Sequence, residues 1–318
     1  MVAVKSYFDG SEMSSKALTL AAIGADETTW SEMEALWEEV RKARGNPAYI
    51  HMTDLMALPR QGIYEKWSDE ERDYLVDGLL NVMLSFRGHP SVFQFTCSIK
   101  LADYNTVRLE KNLPTPERMC ARFVFPHVMK WYFEMPRIDF GLMEVYFDRN
   151  EKFMRHIEPD WRNKEIRRRH PMWNLVGSIG QAVMENTPAL QMSDVVAWGR
   201  NRLTAGSRRE TDPHYATAMR ACGSLHSIHR PIDKDGLRGF QYREEGFASI
   251  DPQRKSREEA THRMYASEEF RRFDKMMREL MRTSHADVKK KLDEEKAAKK
   301  RKKSKKSSAS GRASNGRA

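Results

Sequence analysis

Three aspartates stand on otherwise apolar segments of the chain. Asp9 and Asp148 each end a Tyr-Phe-Asp tripeptide that closes a β-patterned run, at residues 2–9 and 141–148. Asp194 lies within an apolar helical run. A buried charge is costly unless it is paired or binds a metal, and no basic residue stands near these aspartates at an obvious pairing distance. Their type and spacing indicate a site for a divalent cation.

The elements predicted around these aspartates can bring them together. If the two Tyr-Phe-Asp strands pair in parallel, Asp9 and Asp148 reach the same sheet edge, where ligands of open α/β sheets gather. The helix predicted over 189–203 can add Asp194. Carboxylate oxygens suit Mg²⁺ or Mn²⁺, and two such ions stabilise both the attacking and the leaving oxygen in phosphodiester cleavage.

Each of these residues also has a purely structural interpretation. Asp9 and Asp148 are typical residues with which to begin a turn, and Asp194 is a typical helix N-cap. His51 lies in a short strand predicted over residues 48–52; it is a candidate to orient substrate or move a proton, or else a satisfied core or edge histidine. Glu151 is a candidate further metal ligand, or else an acid that favours the first turn of a helix.

Other catalytic and metal-binding patterns find little support in the sequence. GxSxG, Walker, GxGxxG and HExxH motifs are absent from it, and no local signature supports Cys-His catalysis. The pair His226 and His229 has metal-compatible spacing, but no CxxC pair is present to complete a zinc motif. The acidic residues therefore remain the leading candidate site.

Strands and helices alternate along the first two thirds of the chain. This order predicts an α/β or α+β fold in which helices pack on a β-sheet. We predict a domain over residues 1–210, a C-terminal helical extension over 211–300 and a disordered basic tail over 301–318.

The charge of the chain is concentrated near its C-terminus. Residues 289–318 carry 13 Lys or Arg and 3 Asp or Glu, so this segment alone accounts for the formal net charge of +10. Such a tail binds phosphates non-specifically, or simply remains solvated and promotes solubility. No run of eighteen apolar residues occurs in the sequence, so we expect no membrane span. The three cysteines are widely spaced, which is typical of a protein in the reducing cytoplasm, and we therefore expect a cytoplasmic protein.

Four motifs, taken in order, resemble the bacterial domain-of-unknown-function family 3800 (DUF3800) over about residues 3–205. The most specific one contains a Gln-x-x-Asp-x-x-Ala-Trp core. The four motifs are Phe8-Asp9-Gly10-Ser11-Glu12, Ile50-His51-Met52, Phe147-Asp148-Arg149-Asn150-Glu151 and Pro188-Ala189-Leu190-Gln191-Met192-Ser193-Asp194-Val195-Val196-Ala197-Trp198.

The resemblance implies a ribonuclease-H-like mixed β-sheet flanked by helices. It also implies an acidic cluster that binds divalent metal and acts on nucleic acid. It marks Asp9, Asp148 and Asp194 as the metal-binding acids, with His51 and Glu151 nearby. The expected activity is that of a Mg²⁺- or Mn²⁺-dependent nuclease or phosphodiester hydrolase.

The first motif departs from the family pattern. The family usually has Asp-Glu-Ser-Gly there, whereas this chain has Asp9-Gly10-Ser11-Glu12. The acid after Asp9 is lost, and Glu12 is a candidate substitute. The alternative function is therefore a catalytically degenerate module of the same fold that binds nucleic acid or a protein partner.

Overall fold

A six-stranded mixed β-sheet organises the protein. The computed structural model describes residues 2–13, 16–134, 140–149, 151–169, 171–225 and 227–239. The strands are Val2–Met13 (β1), Ala17–Asp26 (β2), Phe93–Lys100 (β3), Phe140–Asp148 (β4), Val176–Ala182 (β5) and Ser227–Ile232 (β6).

The strand order across the sheet is β5-β4-β1-β2-β3-β6. The hairpin of β1 and β2 is antiparallel, and β3 is antiparallel to β2. β4 runs parallel to β1, β5 runs parallel to β4, and β6 runs parallel to β3. The parallel pairs are joined through helices, as parallel connections require. This mixed sheet flanked by helices confirms the predicted α/β fold class.

Helices cover both faces of the sheet. One core lies between the sheet and α4, α5, α6 and α10, and the other lies between the sheet and α1, α2, α3, α8 and α9. The helices are Glu27–Ala43 (α1), Met52–Leu55 (α2), Asp69–Ser85 (α3), Leu101–Glu110 (α4), Pro116–Glu134 (α5), Met154–Arg162 (α6), Lys164–Arg169 (α7), Pro188–Thr204 (α8), Tyr215–Gly223 (α9) and Lys234–Gly239 (α10). None of them, within the described residues, has the length and apolar character needed to cross a membrane.

α8 is the central helix of the second core. It packs across β1, β2 and β3, and its residues from Ala189 to Gly199 are all buried. The Gln191 side chain accepts a hydrogen bond from Trp37 Nε1 at 2.9 Å and donates one to the Met184 carbonyl at 2.8 Å. Ser193 Oγ donates to the Tyr7 carbonyl of β1 at 3.0 Å. Buried polar side chains thus fix the position of this helix against the sheet.

One local prediction near the candidate site is wrong. The strand predicted over 48–52 is instead an irregular segment, and His51 is the N-cap of the short helix α2. The Tyr64 hydroxyl donates to the Tyr49 carbonyl and accepts from the His51 N–H. These backbone groups therefore have side-chain partners and need no neighbouring strand.

The first strand is longer than its sequence pattern predicts. β1 continues to Met13, and Asp9 lies within the ladder opposite Ala21, so it does not begin a turn. β2 supplies partners as far as the pair Met13 and Ala17, which is why the strand does not end at Asp9. Asp194 likewise lies inside α8, whose N-cap is Thr187.

The chain beyond residue 210 contributes to the same sheet. α9 packs against α8, and β6 pairs with β3. The described residues, which end at 239, belong to one compact unit. The remainder of the predicted helical extension, from residue 240 on, and the basic tail over 301–318 lie outside the described residues, as does His226.

Candidate functional site

Asp9 and Asp148 lie side by side on neighbouring parallel strands. The register pairs Phe8 with Phe147, so the two aspartates that follow project from the same face of the sheet. Asp9 is buried, with 4% of its surface exposed, and Asp148 is half-buried. The parallel pairing on which the predicted site depended is therefore present.

Asp194 meets these aspartates from the helix above the sheet. Its side chain is buried, and its Oδ2 accepts a hydrogen bond from the Met52 N–H at 2.6 Å. The carboxyl groups of Asp194 and Asp9 lie within hydrogen-bonding reach of each other. Two carboxyl groups share a hydrogen bond only when one of them carries a proton. A cation can replace that proton, and this contact is therefore the core of the candidate site.

Glu151 approaches the strand beside Asp9. Its Oε2 accepts a hydrogen bond from the Gly10 N–H at 3.1 Å, and its Oε1 accepts one from Phe153 N–H at 3.4 Å. A Cβ on Gly10 would collide with Phe153 Cε2 and stand 2.9 Å from Glu151 Oε2. The carboxylate of Glu151 thus lies next to Gly10, the position at which the DUF3800 pattern has an acid.

Glu12, the candidate substitute for that acid, lies apart from Asp9. Glu12 and Asp9 are three residues apart on one strand, so they project from opposite faces. The Glu12 side chain is exposed and forms an ion pair with Lys152 at 3.2 Å.

His51 stands at the edge of the acidic group. Its Nδ1 lies 2.8 Å from Asp54 Oδ2, so Asp54 fixes the orientation of the imidazole ring. Burial opposes protonation of the ring, but the charges of Asp194, Asp54 and Asp148 together raise the pKa of His51 above its ordinary value. His51 is therefore suited to hold a proton beside the carboxylates.

The surroundings of the acids hold their pKa values high. Burial raises the pKa of Asp9 well above its ordinary range, and the charges of Asp194, Glu151 and Asp148 raise it further. Burial also raises the pKa values of Asp194, Asp148 and Glu151, although backbone N–H groups oppose the shift in each case. Among the described residues, no Lys or Arg forms an ion pair with any of these four acids.

Two residues of this region are missing from the sequence prediction. Asp54 follows His51 by three residues, and a His-x-x-Asp spacing at a helix start is the signal that could have identified it. Glu185 lies in a short 3-10 helix after β5, and its charge contributes to the raised pKa of Asp148. No local sequence pattern marks Glu185, because only the pairing of β4 with β5 brings it near.

The structure brings together the residues predicted from distant parts of the sequence. The charge of Asp9 interacts with those of Asp194, Glu151 and Asp148, and the charge of His51 interacts with those of Asp194 and Asp148. Within the described residues, no three of their ligating groups already enclose a single ion position. The arrangement is therefore an acidic pair, Asp9 and Asp194, with the other groups around it.

Comparisons with known proteins give little further information. The chain matches no protein-family model and no curated protein at a significant level. A chain in the structure of the PCNA:RNase HII complex from Archaeoglobus fulgidus is similar to it, with a TM-score of 0.31 and 9% identity over 78% of this chain and 95% of that one. A similarity of this size carries no argument about activity, and the resemblance to DUF3800 stays a prediction.

Proposed function

We propose that the protein is a Mg²⁺- or Mn²⁺-dependent hydrolase that cleaves phosphodiester bonds in nucleic acid. The observation that carries the proposal is the contact between two buried carboxyl groups, Asp9 and Asp194, with Asp148 and Glu151 beside them and no Lys or Arg paired with them in the described part of the chain. Gathering like charges in a buried place lowers stability, and such arrangements are typical of functional sites.

The side chains present fit a hard divalent cation. Mg²⁺ prefers oxygen ligands and usually takes one or two protein carboxylates, completing its shell with water and substrate phosphate. The pair Asp9 and Asp194 supplies two carboxylates, and Asp148 extends the set toward solvent. An arrangement in which no three of the described groups enclose an ion is compatible with this mode of binding.

The proposed chemistry divides between the ion and the side chains. A divalent cation, when bound, supplies an activated water and stabilises the charge of the leaving oxygen. Asp9, Asp148 and Asp194 would hold it, and Glu151 would orient the strand through its hydrogen bond to the Gly10 N–H. His51, whose pKa is raised, would orient the substrate or move a proton to it.

The alternative is a module of the same fold that binds nucleic acid or a protein partner without cleaving. Gly10, in place of the acid of the family pattern, is the observation that favours it. The two functions differ in their need for metal, because a binding module does not require an ion at the aspartates.

Thermal melting with and without Mn²⁺ tests the proposal without any assumption about the substrate. A ligand that binds only the folded state raises the melting temperature. We expect Mn²⁺ to raise it in the wild type and not in Asp148→Asn. Neutralising the exposed Glu39 of α1, as Glu39→Gln, is the control and should leave the Mn²⁺ response unchanged.

Cleavage assays complete the test. Single- and double-stranded DNA and RNA should be incubated with the wild type and with Asp9→Asn and Asp194→Asn in Mn²⁺. Cleavage by the wild type that is lost in both variants supports a hydrolase. A wild type whose melting temperature does not respond to Mn²⁺ would rule out the metal site and favour the binding module.

A further inference from the structure

One face of the β4–β5 pair is only partly covered. Its residues alternate with the fully buried Met143, Val145 and Phe147, which face the first core. We name this face the β4–β5 shelf, and each of its six residues is partly exposed: Glu144, Tyr146, Asp148, Ser178, Gly180 and Ala182.

An aromatic stack leads across the sheet to the shelf. Trp30 packs edge-on against Tyr7, with ring centroids 5.1 Å apart. Tyr7 in turn stacks on Tyr146, with centroids 5.3 Å apart and an interplanar angle of 19°. The Tyr146 hydroxyl donates to Glu144 Oε2 at 2.9 Å, which holds the outer ring in place. The stack therefore ends in an oriented ring.

Among the described residues, Gly180 leaves the outer face of the Tyr146 ring open. It is the strand partner of Tyr146 on β5, so a side chain at this position would stand where the next member of the stack belongs. A Cβ on Gly180 would be 3.7 Å from the Tyr146 ring, which is ordinary contact, and Gly180 does not have a positive φ. Neither packing nor backbone conformation in the described residues demands a glycine here.

We propose that the space over Gly180 is a subsite for one unstacked nucleobase of a single-stranded nucleic acid, which continues the stack of Tyr7 and Tyr146. Adjacent strands are about 4.8 Å apart, and stacked rings are separated by roughly 4.5–7 Å, so a planar ring above β5 keeps the spacing of the stack. Aromatic platforms of this kind bind bases of any sequence.

The nearby Asp148 favours a nucleobase over other planar groups as the occupant of this subsite. Asp148 is two residues beyond Tyr146 on the same face, about 6.5 Å along the strand. A base on Tyr146 therefore places its own backbone beside the carboxylates at which we propose phosphodiester cleavage. The subsite thus rests on the proposed function and specifies a single-stranded substrate for it.

Photo-crosslinking tests the subsite directly. Short single-stranded oligonucleotides that carry 5-iodouracil, made as DNA and as RNA, should be irradiated with the full-length protein in Mn²⁺ and in EDTA, and the adducts mapped by mass spectrometry. We expect an adduct on the peptide that contains Tyr146. Gly180→Val fills the open space and should lower its yield at least about fivefold, the lower limit for loss of one stacked base.

Gln181→Val is the matched control. It adds the same β-branched side chain one residue further along β5, at an exposed position on the other face, and should leave the yield unchanged. Gly180→Val should also melt at a temperature equal to or above that of the wild type, because a strand favours valine over glycine. A lower yield then reflects a filled subsite and not an unfolded protein.

The result separates the subsite from the proposed hydrolase. No adduct at Tyr146 in either condition, or equal yields from Gly180→Val and the wild type, would overturn the subsite even if Mn²⁺-dependent cleavage were intact. An adduct that depends on Gly180 in a protein without cleavage activity would support the subsite and leave the binding module as the function.

Discussion

At the scale of single residues, the contact between Asp9 and Asp194 dominates the candidate site. Both side chains are buried, and burial raises the pKa of Asp9 well above its ordinary range, which favours a proton shared by the pair when no cation is bound. His51 and the Met52 N–H favour the charged form of Asp194. The more basic partner of the pair is therefore Asp9.

Asparagine at position 9 preserves the hydrogen bond and removes the charge. We expect Asp9→Asn without metal to be at least as stable as the wild type, because its amide can donate to Asp194. The same variant should lose the Mn²⁺ response. Asp9→Ala leaves Asp194 without its partner and should be less stable by about 1–3 kcal/mol. Urea denaturation measures both, and a clear destabilisation of Asp9→Asn would contradict the protonated pair.

The side chains of Phe153 and Glu151 leave no room for a side chain at Gly10. Gly10→Ala should destabilise the protein by about 1–3 kcal/mol, because the new Cβ collides with Phe153 and displaces Glu151. Gly223→Ala is the control, since no described atom lies within 4 Å of its added Cβ, and it should be neutral or slightly stabilising. Equal stabilities of the two variants in urea would show that Glu151 and Phe153 move aside at little cost.

At the scale of secondary-structure elements, the position of α8 decides where Asp194 lies. Gln191 joins this helix to Trp37 on α1 and to the segment after β5, and Ser193 joins it to β1. The helix α8 thus carries both Asp194, the candidate metal ligand, and the side chains that fix the position of the helix. Gln191 lies about one turn before Asp194.

Removal of the Gln191 hydrogen bonds should affect both stability and metal binding. Gln191→Leu leaves the Trp37 indole N–H buried without its partner and removes one of the two hydrogen bonds to the Met184 carbonyl, so we expect a loss of about 1–3 kcal/mol in urea denaturation. The Mn²⁺-induced rise in melting temperature should also decrease, because Asp194 is less firmly placed. A destabilised variant with an unchanged Mn²⁺ response would show that α8 keeps its position without Gln191.

The end of α8 is held by an ion pair that makes stability depend on pH. Burial alone would raise the pKa of Asp212, but its hydrogen bonds from Arg202, Ser207 and the His214 N–H lower it to about 2. A lowered pKa in the folded state stabilises the protein above the ordinary value of 3.8 and loses this effect as the pH falls toward 2.

Asp212→Asn tests this dependence. The variant should be less stable than the wild type at pH 6, and the difference should shrink between pH 4 and pH 2. Urea denaturation across this range measures it, with Asp235→Asn on α10 as a control at an exposed site. If the difference in stability between Asp212→Asn and the wild type stayed constant with pH, the ion pair of Asp212 with Arg202 would contribute nothing to stability.

At the scale of the whole molecule, positive charge and the candidate site belong to different parts of the chain. Residues 289–318 hold a net charge of +10, whereas the rest of the sequence is neutral overall. The acidic site and the base subsite lie in the unit formed by residues 1–248. Mutations in residues 289–318 should therefore change non-specific attraction to nucleic acid, and mutations at the acidic site should change local recognition of the substrate.

Replacing the Lys and Arg of residues 299–306 by Gln should weaken nucleic-acid binding and its salt dependence. The slope of log affinity against log salt should decrease in magnitude by about 0.7 for each phosphate of a single strand that the segment no longer neutralises. The Mn²⁺-induced change in melting temperature should stay as in the wild type. An unchanged salt slope would identify the segment as a solubility-promoting tail.

The sequence by itself determined the elements that carry the acids. Alternating apolar residues before Asp9 and Asp148 specify strands, and the apolar period around Asp194 specifies a helix, because these patterns depend only on neighbouring residues. The alternation of such elements was also sufficient to predict a sheet flanked by helices.

Only the tertiary structure decided how those residues meet. The length of β1 beyond Asp9 depends on pairing with β2, and the irregular backbone at His51 depends on the hydroxyl of Tyr64. The contact of Asp9 with Asp194 joins residues nearly two hundred positions apart, and Glu151 fits only because position 10 has no side chain. Such contacts depend on packing between distant segments, which local patterns do not specify.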